Sequence, residues 1–214
     1  SEGKFIKNIP NVASGYVNSS LGERKRDILL TLSKIENRKN LHYLLDEYVL
    51  YASQTTSPLP LVIAGDPGYK SKADKFIGRV NELQNGGYDV RFLPSVSDSK
   101  LRKLFSMAAC MIFPSHFEGF GLPAIEALLS ETPLICTSTG VICSELTGQG
   151  HFINGDLRGE LAIKIEDLVV NPPSKEILKK GREAALEYTN RNNSSQLWSD
   201  TILSLTSHGG GLDR

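Results

Sequence analysis

The feature that most constrains the fold of this chain is a series of short, unbroken apolar runs. They are rich in Ile, Leu, Val and Phe and lie near residues 28–32, 60–64, 90–93, 110–113, 133–136 and 151–153. Unbroken runs of this length are typical of strands that are covered on both faces, whereas strands with one wet face alternate apolar and polar residues. Because stretches with helical periodicity separate most of the runs, we predict an α/β fold with a Rossmann-like, doubly wound parallel sheet.

The predicted helices define the loops in which functional residues are expected. Leu41, Leu44 and Tyr48 share one face of a first helix. Another helix has its capping candidates in the run Ser97-Asp98-Ser99. Further helices are predicted over residues 160–170, 174–188 and 194–206. In doubly wound sheets the ligand lies beyond the carboxyl ends of the strands, where loops lead into helices. Candidate functional residues are therefore expected in those loops.

Length and composition fit one folded domain. The chain has 214 residues, of which 40% are hydrophobic, and this argues against global disorder. A chain of this size buries enough surface to fold without a disulfide or a metal. We predict a lead-in over residues 1–26, one Rossmann-like domain over 27–206 and a flexible tail over 207–214.

Charge and cysteine content exclude several classes of protein. The 24 basic and 24 acidic side chains cancel, so the chain has no overall positive field to hold a nucleic acid. The three cysteines lack the C-x-x-C spacing of a zinc or redox site and fit a reducing, cytoplasmic compartment. No apolar stretch approaches the ~18 residues of a membrane span, and no signal peptide is predicted from the first residues. A cytoplasmic location is predicted, which leaves room for peripheral membrane association in a longer protein.

The most informative stretch begins where the strand near 110–113 ends. Gly119 and Gly121 lie in the following loop, and Pro123 lies in the first turn of the next helix. Without side chains, the two glycines let backbone N–H groups approach a ligand closely. The helix start adds a partial positive charge, so the loop is a credible seat for a diphosphate.

Two glutamates flank this loop. Glu118 lies within it and could reach the hydroxyls of a sugar, while Glu126 lies about one turn inside the helix and could accept two hydrogen bonds from a ribose diol. The simpler alternative is that Glu118 caps the helix and Glu126 is a solvated helix residue. The glycines and the preceding strand favour the functional interpretation.

The segment from Glu118 to Glu126, with Gly-Phe-Gly-Leu-Pro-Ala-Ile between them, resembles the E-x7-E signature of retaining GT-B glycosyltransferases of family four (glycosyl transferases group 1). Residues 30–41 resemble the first strand and basic loop of that family's nucleotide-sugar domain, and residues 61–68 resemble its next strand and glycine turn. Residues 132–145 resemble the strand and loop that follow the signature helix. The resemblance covers about 27–206 and implies the C-terminal half of a GT-B fold.

Three cations lie where the first strand gives way to the first helix: Lys34, Arg38 and Lys39. A nucleoside diphosphate leaving group develops negative charge that a cation must stabilise. No Asp-x-Asp cluster lies where a divalent metal would need it, so no metal site is predicted. The resemblance implies that Lys34 and Lys39 bind the diphosphate, with Arg38 as the fallback because Lys34 lacks the bidentate geometry of an arginine. The alternative is a solvated basic patch.

The resemblance also assigns the remaining donor contacts. It implies that Glu118 anchors the hexose and Glu126 the ribose, while Val96 contacts the base and Gly65 gives room under the site. His116 is interpreted as a residue that shapes its loop. The backbone amides implied for the diphosphate are those of Gly119, Phe120, Gly121 and Leu122.

Together these features predict the donor-binding domain of a retaining, metal-independent hexosyltransferase of polysaccharide biosynthesis. No cofactor is expected, and the substrate implied is a GDP- or UDP-linked sugar. The Arg-Lys-Asn run at 38–40 resembles that of bacterial polysaccharide mannosyltransferases, which hints at GDP-mannose. The glycan or lipid-linked acceptor would bind an N-terminal domain missing from this chain, which alone should bind donor and transfer poorly. A non-catalytic nucleotide or nucleotide-sugar binding module is the alternative. A Rossmann oxidoreductase is excluded because residues 33–40 contain no glycine.

Overall fold

A computed structural model describes residues 25–118, 121–138 and 150–191. The strands of this part of the chain are β1 (Ile28–Leu32), β2 (Leu61–Gly65), β3 (Val90–Pro94), β4 (Ala108–Phe113), β5 (Leu134–Thr137) and β6 (His151–Ile153). The helices are α1 (Leu41–Gln54), α2 (Lys70–Asn85), α3 (Asp98–Met107), α4 (Leu122–Leu129), α5 (Glu160–Val170) and α6 (Lys175–Arg191). A 3₁₀ turn, Asn37–Lys39, precedes α1.

All six predicted strands are confirmed. They form one parallel sheet in the order β3-β2-β1-β4-β5-β6, so the predicted Rossmann-like fold is also confirmed. Helix α5 has the predicted bounds, and α6 continues three residues beyond the predicted end. Ser97 caps α3 as expected, because its side chain accepts a hydrogen bond from the backbone N–H of Lys100. The helix predicted over 194–206 lies outside the described residues, as do the tail and almost all of the lead-in.

The two faces of the sheet are buried in separate cores. Within β1, Leu29 packs on one face together with residues of α1, α2 and α5, and Leu30 packs on the other with residues of α3, α4 and α6. Both leucines are fully buried, which is worth about 1.5–3 kcal/mol for each side chain. Successive residues of a strand point to opposite faces, so an unbroken apolar run is what a doubly covered strand requires.

The cysteines behave as the sequence suggests where they are described. Cys110 and Cys136 are both buried, one in each core. Burial raises the pKa of the Cys110 thiol to about 12, so this thiol is not reactive at neutral pH. Cys143 lies outside the described residues. Among the helices of the described ranges, none is both long and apolar enough to cross a bilayer.

The strand order creates a crevice beside β1. The chain moves outward from β1 through β2 to β3 and then returns to form β4 on the other side of β1. The loops that leave the carboxyl ends of β1 and β4 therefore run to helices on opposite faces of the sheet. Open α/β sheets bind their ligands at such a topological switch point.

A buried carboxylate ties α5 to α1. The side chain of Glu47, in α1, accepts hydrogen bonds from the backbone N–H groups of Gly159 at 2.7 Å and Ala162 at 3.1 Å. Glu47 is 2% exposed, and the groups that it binds belong to the first turn of α5. The negative charge also complements the positive end of the α5 dipole.

We expect Glu47→Ala to lower the free energy of unfolding by about 2–3 kcal/mol, because it leaves two N–H groups of the α5 terminus without their acceptor. The matched control is Asp46→Ala. Asp46 is the neighbouring residue, and its side chain is largely exposed and pairs with Arg79 at 3.4 Å on the surface. This control should change stability by less than about 0.5 kcal/mol. Urea unfolding measures both, and equal effects would contradict the capping role.

Candidate functional site

The loop after β1, residues 33–40, is held against β2. The backbone N–H of Ile35 donates to the carbonyl oxygen of Asp66 at 3.0 Å, and the Ile35 side chain is buried. Gly65 has a φ of +148°, and a Cβ at this position would lie 2.2 Å from the carbonyl oxygen of Ser33. Only glycine therefore lets the loop pass this close to the end of β2. Gly65 gives room to the loop that carries the cations.

Lys39 is the buried cation of this loop. It is 7% exposed, and its ammonium group contacts a carboxylate oxygen of Glu118. The same ammonium lies 5.2 Å from the centre of the Phe113 ring. A lysine is almost never buried without a partner, because the charge loses its hydration. The alternative of a solvated basic patch is therefore wrong for Lys39.

Arg38 joins the loop after β1 to the loop after β4. Its Nη1 lies 3.2 Å from Oε2 of Glu118 and also donates to the carbonyl oxygen of Phe117 at 3.2 Å. In the opposite direction, the backbone N–H of His116 donates to the carbonyl oxygen of Arg38 at 2.8 Å. The guanidinium is further fixed by Glu36, whose Oε2 accepts from Nε at 2.8 Å. These contacts bring two of the candidate cations to the first glutamate of the E-x7-E segment.

Lys34 lies on the outer side of the same group. Its side chain is 41% exposed, and its Nζ is 3.6 Å from Oε1 of Glu36 and 5.9 Å from the centre of the Tyr69 ring. Glu36 thus contacts both Lys34 and Arg38. The structure brings Arg38 and Lys39 together at Glu118, whereas the contacts of Lys34 are with Glu36 and Tyr69.

The loop after β4 ends in a glycine that starts α4. Gly121 is buried with a φ of +59°, and its carbonyl oxygen accepts the first hydrogen bond of the helix from Ala124 at 2.8 Å. The first N–H groups of a helix have no partner within it, so they are open to a ligand. Leu122 begins the helix and is 38% exposed. Gly119 and Phe120 lie outside the described residues.

Glu126 is partly buried, which argues against the simpler sequence interpretation of a solvated helix residue. Burial raises the pKa of its carboxyl group to about 7, and the charge of Asp98 adds to the shift. Asp98 begins α3, so the loop after β3 approaches α4 near Glu126. Val96 belongs to this loop and packs partly buried against the core. The residues implied for ribose and base therefore belong to neighbouring elements.

Three further residues, His116, Glu36 and Phe117, lie in the loops after β1 and β4. His116 has a half-exposed side chain whose Nδ1 is 3.9 Å from Oδ1 of Asp156, which fits a residue that shapes its loop. Glu36 and Phe117 were missed by sequence reasoning. The position of Glu36 between cations was a usable signal for the first, whereas Phe117 contributes a backbone carbonyl that no side-chain pattern reveals.

The described residues contain no group of three or more His, Cys, Asp or Glu side chains placed to hold a metal ion. A cleft of about 320 Å³ lies elsewhere, lined by Pro133 and His151 among others, at the amino ends of β5 and β6. The cations lie at the other end of the strands, where the carboxyl end of β1 leads into its loop. The ion-pair cluster, which we define as Lys34, Glu36, Arg38, Lys39 and Glu118, carries three positive and two negative charges. Such a cluster can bind a polyanion such as a diphosphate.

The pKa of Glu126 makes stability depend on pH. The folded carboxyl titrates near pH 7, and in an unfolded chain a glutamate titrates near pH 4.3. The folded state therefore holds a proton that the unfolded state loses, and stability should fall as pH rises through this window, by on the order of 2 kcal/mol. Glu126→Gln, which cannot ionise, should lack this part of the pH dependence. Urea unfolding of both proteins at pH 5 and pH 8 measures the difference, and parallel profiles would contradict the shift.

Comparison with known proteins bears on the family and the fold of this chain. The sequence profile of the family described as "Glycosyl transferases group 1" matches residues 17–185. O-antigen chain mannosyltransferase B of Escherichia coli is 32% identical over 109 residues, which are 51% of this chain and 28% of that protein. O-antigen chain mannosyltransferase RfbU of Salmonella typhimurium is 28% identical over 134 residues, or 63% of this chain and 36% of that protein. The chain thus spans about a third of the length of these relatives.

Among solved structures, an α,α-trehalose-phosphate synthase (UDP-forming) from Burkholderia vietnamiensis superposes with a TM-score of 0.69. The match covers 90% of this chain and 49% of that one at 17% identity, so it bears on the fold alone. It agrees with the Rossmann-like half of a GT-B fold. Since the family profile covers most of the chain, from the residues before β1 into α6, this protein belongs to the glycosyl transferases group 1 family.

Proposed function

We propose that this chain is the donor-binding domain of a retaining hexosyltransferase. One observation carries the proposal: at the topological switch point of the sheet, the buried Lys39 and the exposed Arg38 meet Glu118 of the E-x7-E segment. A cation cluster beside the first turn of α4 suits a ligand that has a diphosphate at one end and a sugar at the other. A nucleoside-diphosphate sugar has this form.

The diphosphate would be held by Lys39 and Arg38 together with the amides at the start of α4. The bond to the sugar breaks with the electron pair going to the diphosphate oxygen, so negative charge grows on the leaving group. Fixed cations stabilise such charge most strongly where water is excluded, and Lys39 is 7% exposed. We assign the larger share to Arg38 rather than Lys34, because Arg38 contacts Glu118 and a guanidinium can bind phosphate oxygens in pairs.

The two glutamates would bind the sugar rings of the donor. Glu126 would accept hydrogen bonds from the ribose diol, and the loop with Val96 would contact the base, since Asp98 at the end of that loop lies close enough to influence Glu126. Glu118 would anchor the hexose. Retention of anomeric configuration would follow from attack on the same face that the leaving phosphate occupies, with the phosphate assisting removal of the acceptor proton.

Sugar and acceptor are inferred from the relatives. Both curated relatives are named mannosyltransferases of the O-antigen chain, which favours GDP-mannose as donor and a polysaccharide or lipid-linked acceptor. Acceptor contacts would come from the parts of such proteins that this chain does not span. A cytoplasmic location is proposed because the buried free thiol of Cys110 suits a reducing compartment.

Calorimetry with GDP, UDP, ADP and their hexose conjugates tests the proposal. One nucleotide should bind with micromolar affinity; Lys39→Ala should weaken it by roughly tenfold or more, which is at least 1.4 kcal/mol, and Glu126→Ala should abolish it. The matched control is Lys72→Ala, which removes an exposed cation of α2 and should leave binding unchanged. Absence of binding at millimolar nucleotide, or equal effects of Lys39→Ala and Lys72→Ala, would overturn the site assignment.

Metal independence has its own test. If Lys39 and Arg38 supply the positive charge, EDTA should leave the affinity for the nucleotide sugar unchanged, and added Mg²⁺ should not increase it. The titration is repeated with Arg38→Ala, because a bound Mg²⁺ would improve the affinity most where a protein cation has been removed. Binding that requires Mg²⁺ in the unaltered protein would contradict the cation mechanism.

A further inference from the structure

Glu118 occupies the cations that a diphosphate would need. One of its carboxylate oxygens contacts the ammonium of Lys39, and the other lies 3.2 Å from Nη1 of Arg38. Its side chain is only 10% exposed and that of Lys39 only 8%. In this arrangement Glu118 satisfies the cations from within the protein, so a diphosphate has to compete with it.

We infer that donor binding is an exchange of ion pairs, in which the diphosphate displaces Glu118 from Lys39 and Arg38 and the released carboxylate accepts hydrogen bonds from the hydroxyl groups of the hexose. The inference rests on the proposed function and adds a consequence to it. Recognition of the sugar becomes conditional on recognition of the diphosphate, because the same carboxylate cannot serve the cations and the hexose fully at once.

The energetic reason is the burial of the pair. A charge in this setting is stabilised by its partner, and loss of one partner leaves the other uncompensated. A nucleoside diphosphate without a sugar would balance the charge of Lys39, but it would leave the carboxylate of Glu118 without a new partner. A nucleotide sugar compensates both, because its hydroxyl groups can donate to the carboxylate. The exchange therefore favours the donor over the nucleoside diphosphate that remains after transfer, and assists release of that product.

Glu36 provides an internal comparison. It is the other carboxylate of the ion-pair cluster, and it contacts Arg38 at 2.8 Å and Lys34 at 3.6 Å. Glu36 binds Nε of Arg38, whereas Glu118 binds Nη1. Removal of either carboxylate charge changes the net charge of the cluster equally. Only Glu118 is assigned to the hexose. Only its removal should therefore change the affinities for the nucleoside diphosphate and the nucleotide sugar in opposite directions.

The experiment compares Glu118→Gln with Glu36→Gln by calorimetry at pH 8, where Glu126 is ionised, using GDP against GDP-mannose and UDP against UDP-glucose. For the pair that binds the unaltered chain, Glu118→Gln should bind the nucleoside diphosphate more tightly, by about fivefold, and the nucleotide sugar more weakly by a similar factor. Glu36→Gln should shift both ligands in the same direction by similar factors.

The outcomes separate the inference from the proposed function. If the unaltered chain binds no nucleotide, the proposed function fails. If it binds both ligands but Glu118→Gln weakens the nucleoside diphosphate or leaves it unchanged, the exchange is wrong while the site stands. Should Glu118→Gln not fold, Glu118→Asp replaces it: the shorter side chain keeps the charge, loosens the contact with Lys39 and should change the two affinities in the same opposite directions. Parallel changes in that variant would equally overturn the exchange.

Discussion

The contact between buried Lys39 and Glu118 is the interaction on which the site depends. It joins the loops after β1 and β4 across the point where the strand order reverses, and Arg38 reinforces it from the surface. A buried ion pair contributes little net stability, because desolvation offsets most of the attraction. Its presence in a fold that already has two large apolar cores is consistent with the ligand-binding role proposed for it.

Close packing beneath the cations makes this arrangement possible. The loop after β1 passes against the end of β2, where a side chain in place of Gly65 would collide with the carbonyl of Ser33. Hydrogen bonds from Ile35 to Asp66 and from His116 to Arg38 then fix the loop to its neighbours on both sides. A loop held at several backbone positions presents its charges in a fixed geometry, which is what stabilisation of a developing charge requires.

The carboxylates of the chain show how burial separates groups of the same type. Glu47 is buried and bound by two helix N–H groups, so it holds α5 in place. Among the described residues no cation pairs with Glu126, and burial raises the pKa of its carboxyl group to about 7. Glu118 is nearly buried beside two cations, and Glu36 is bound at the edge of the same cluster. Four glutamates thus have different chemistry, although the sequence presents them as one residue type.

Local pattern was enough to predict the strands and most helices, because the apolar spacing of a segment reflects which of its faces are buried. It also directed attention to the loops after β1 and β4. The sequence also identified Lys39, Glu118 and Glu126 as candidates. It could not give their partners: Lys39 and Glu118 are 79 residues apart, and their contact depends on β4 returning to the side of β1. The burial of Lys39, the bridging position of Glu36 and the raised pKa of Glu126 were decided only by tertiary structure, because each depends on the order of the strands and on which loops that order brings together.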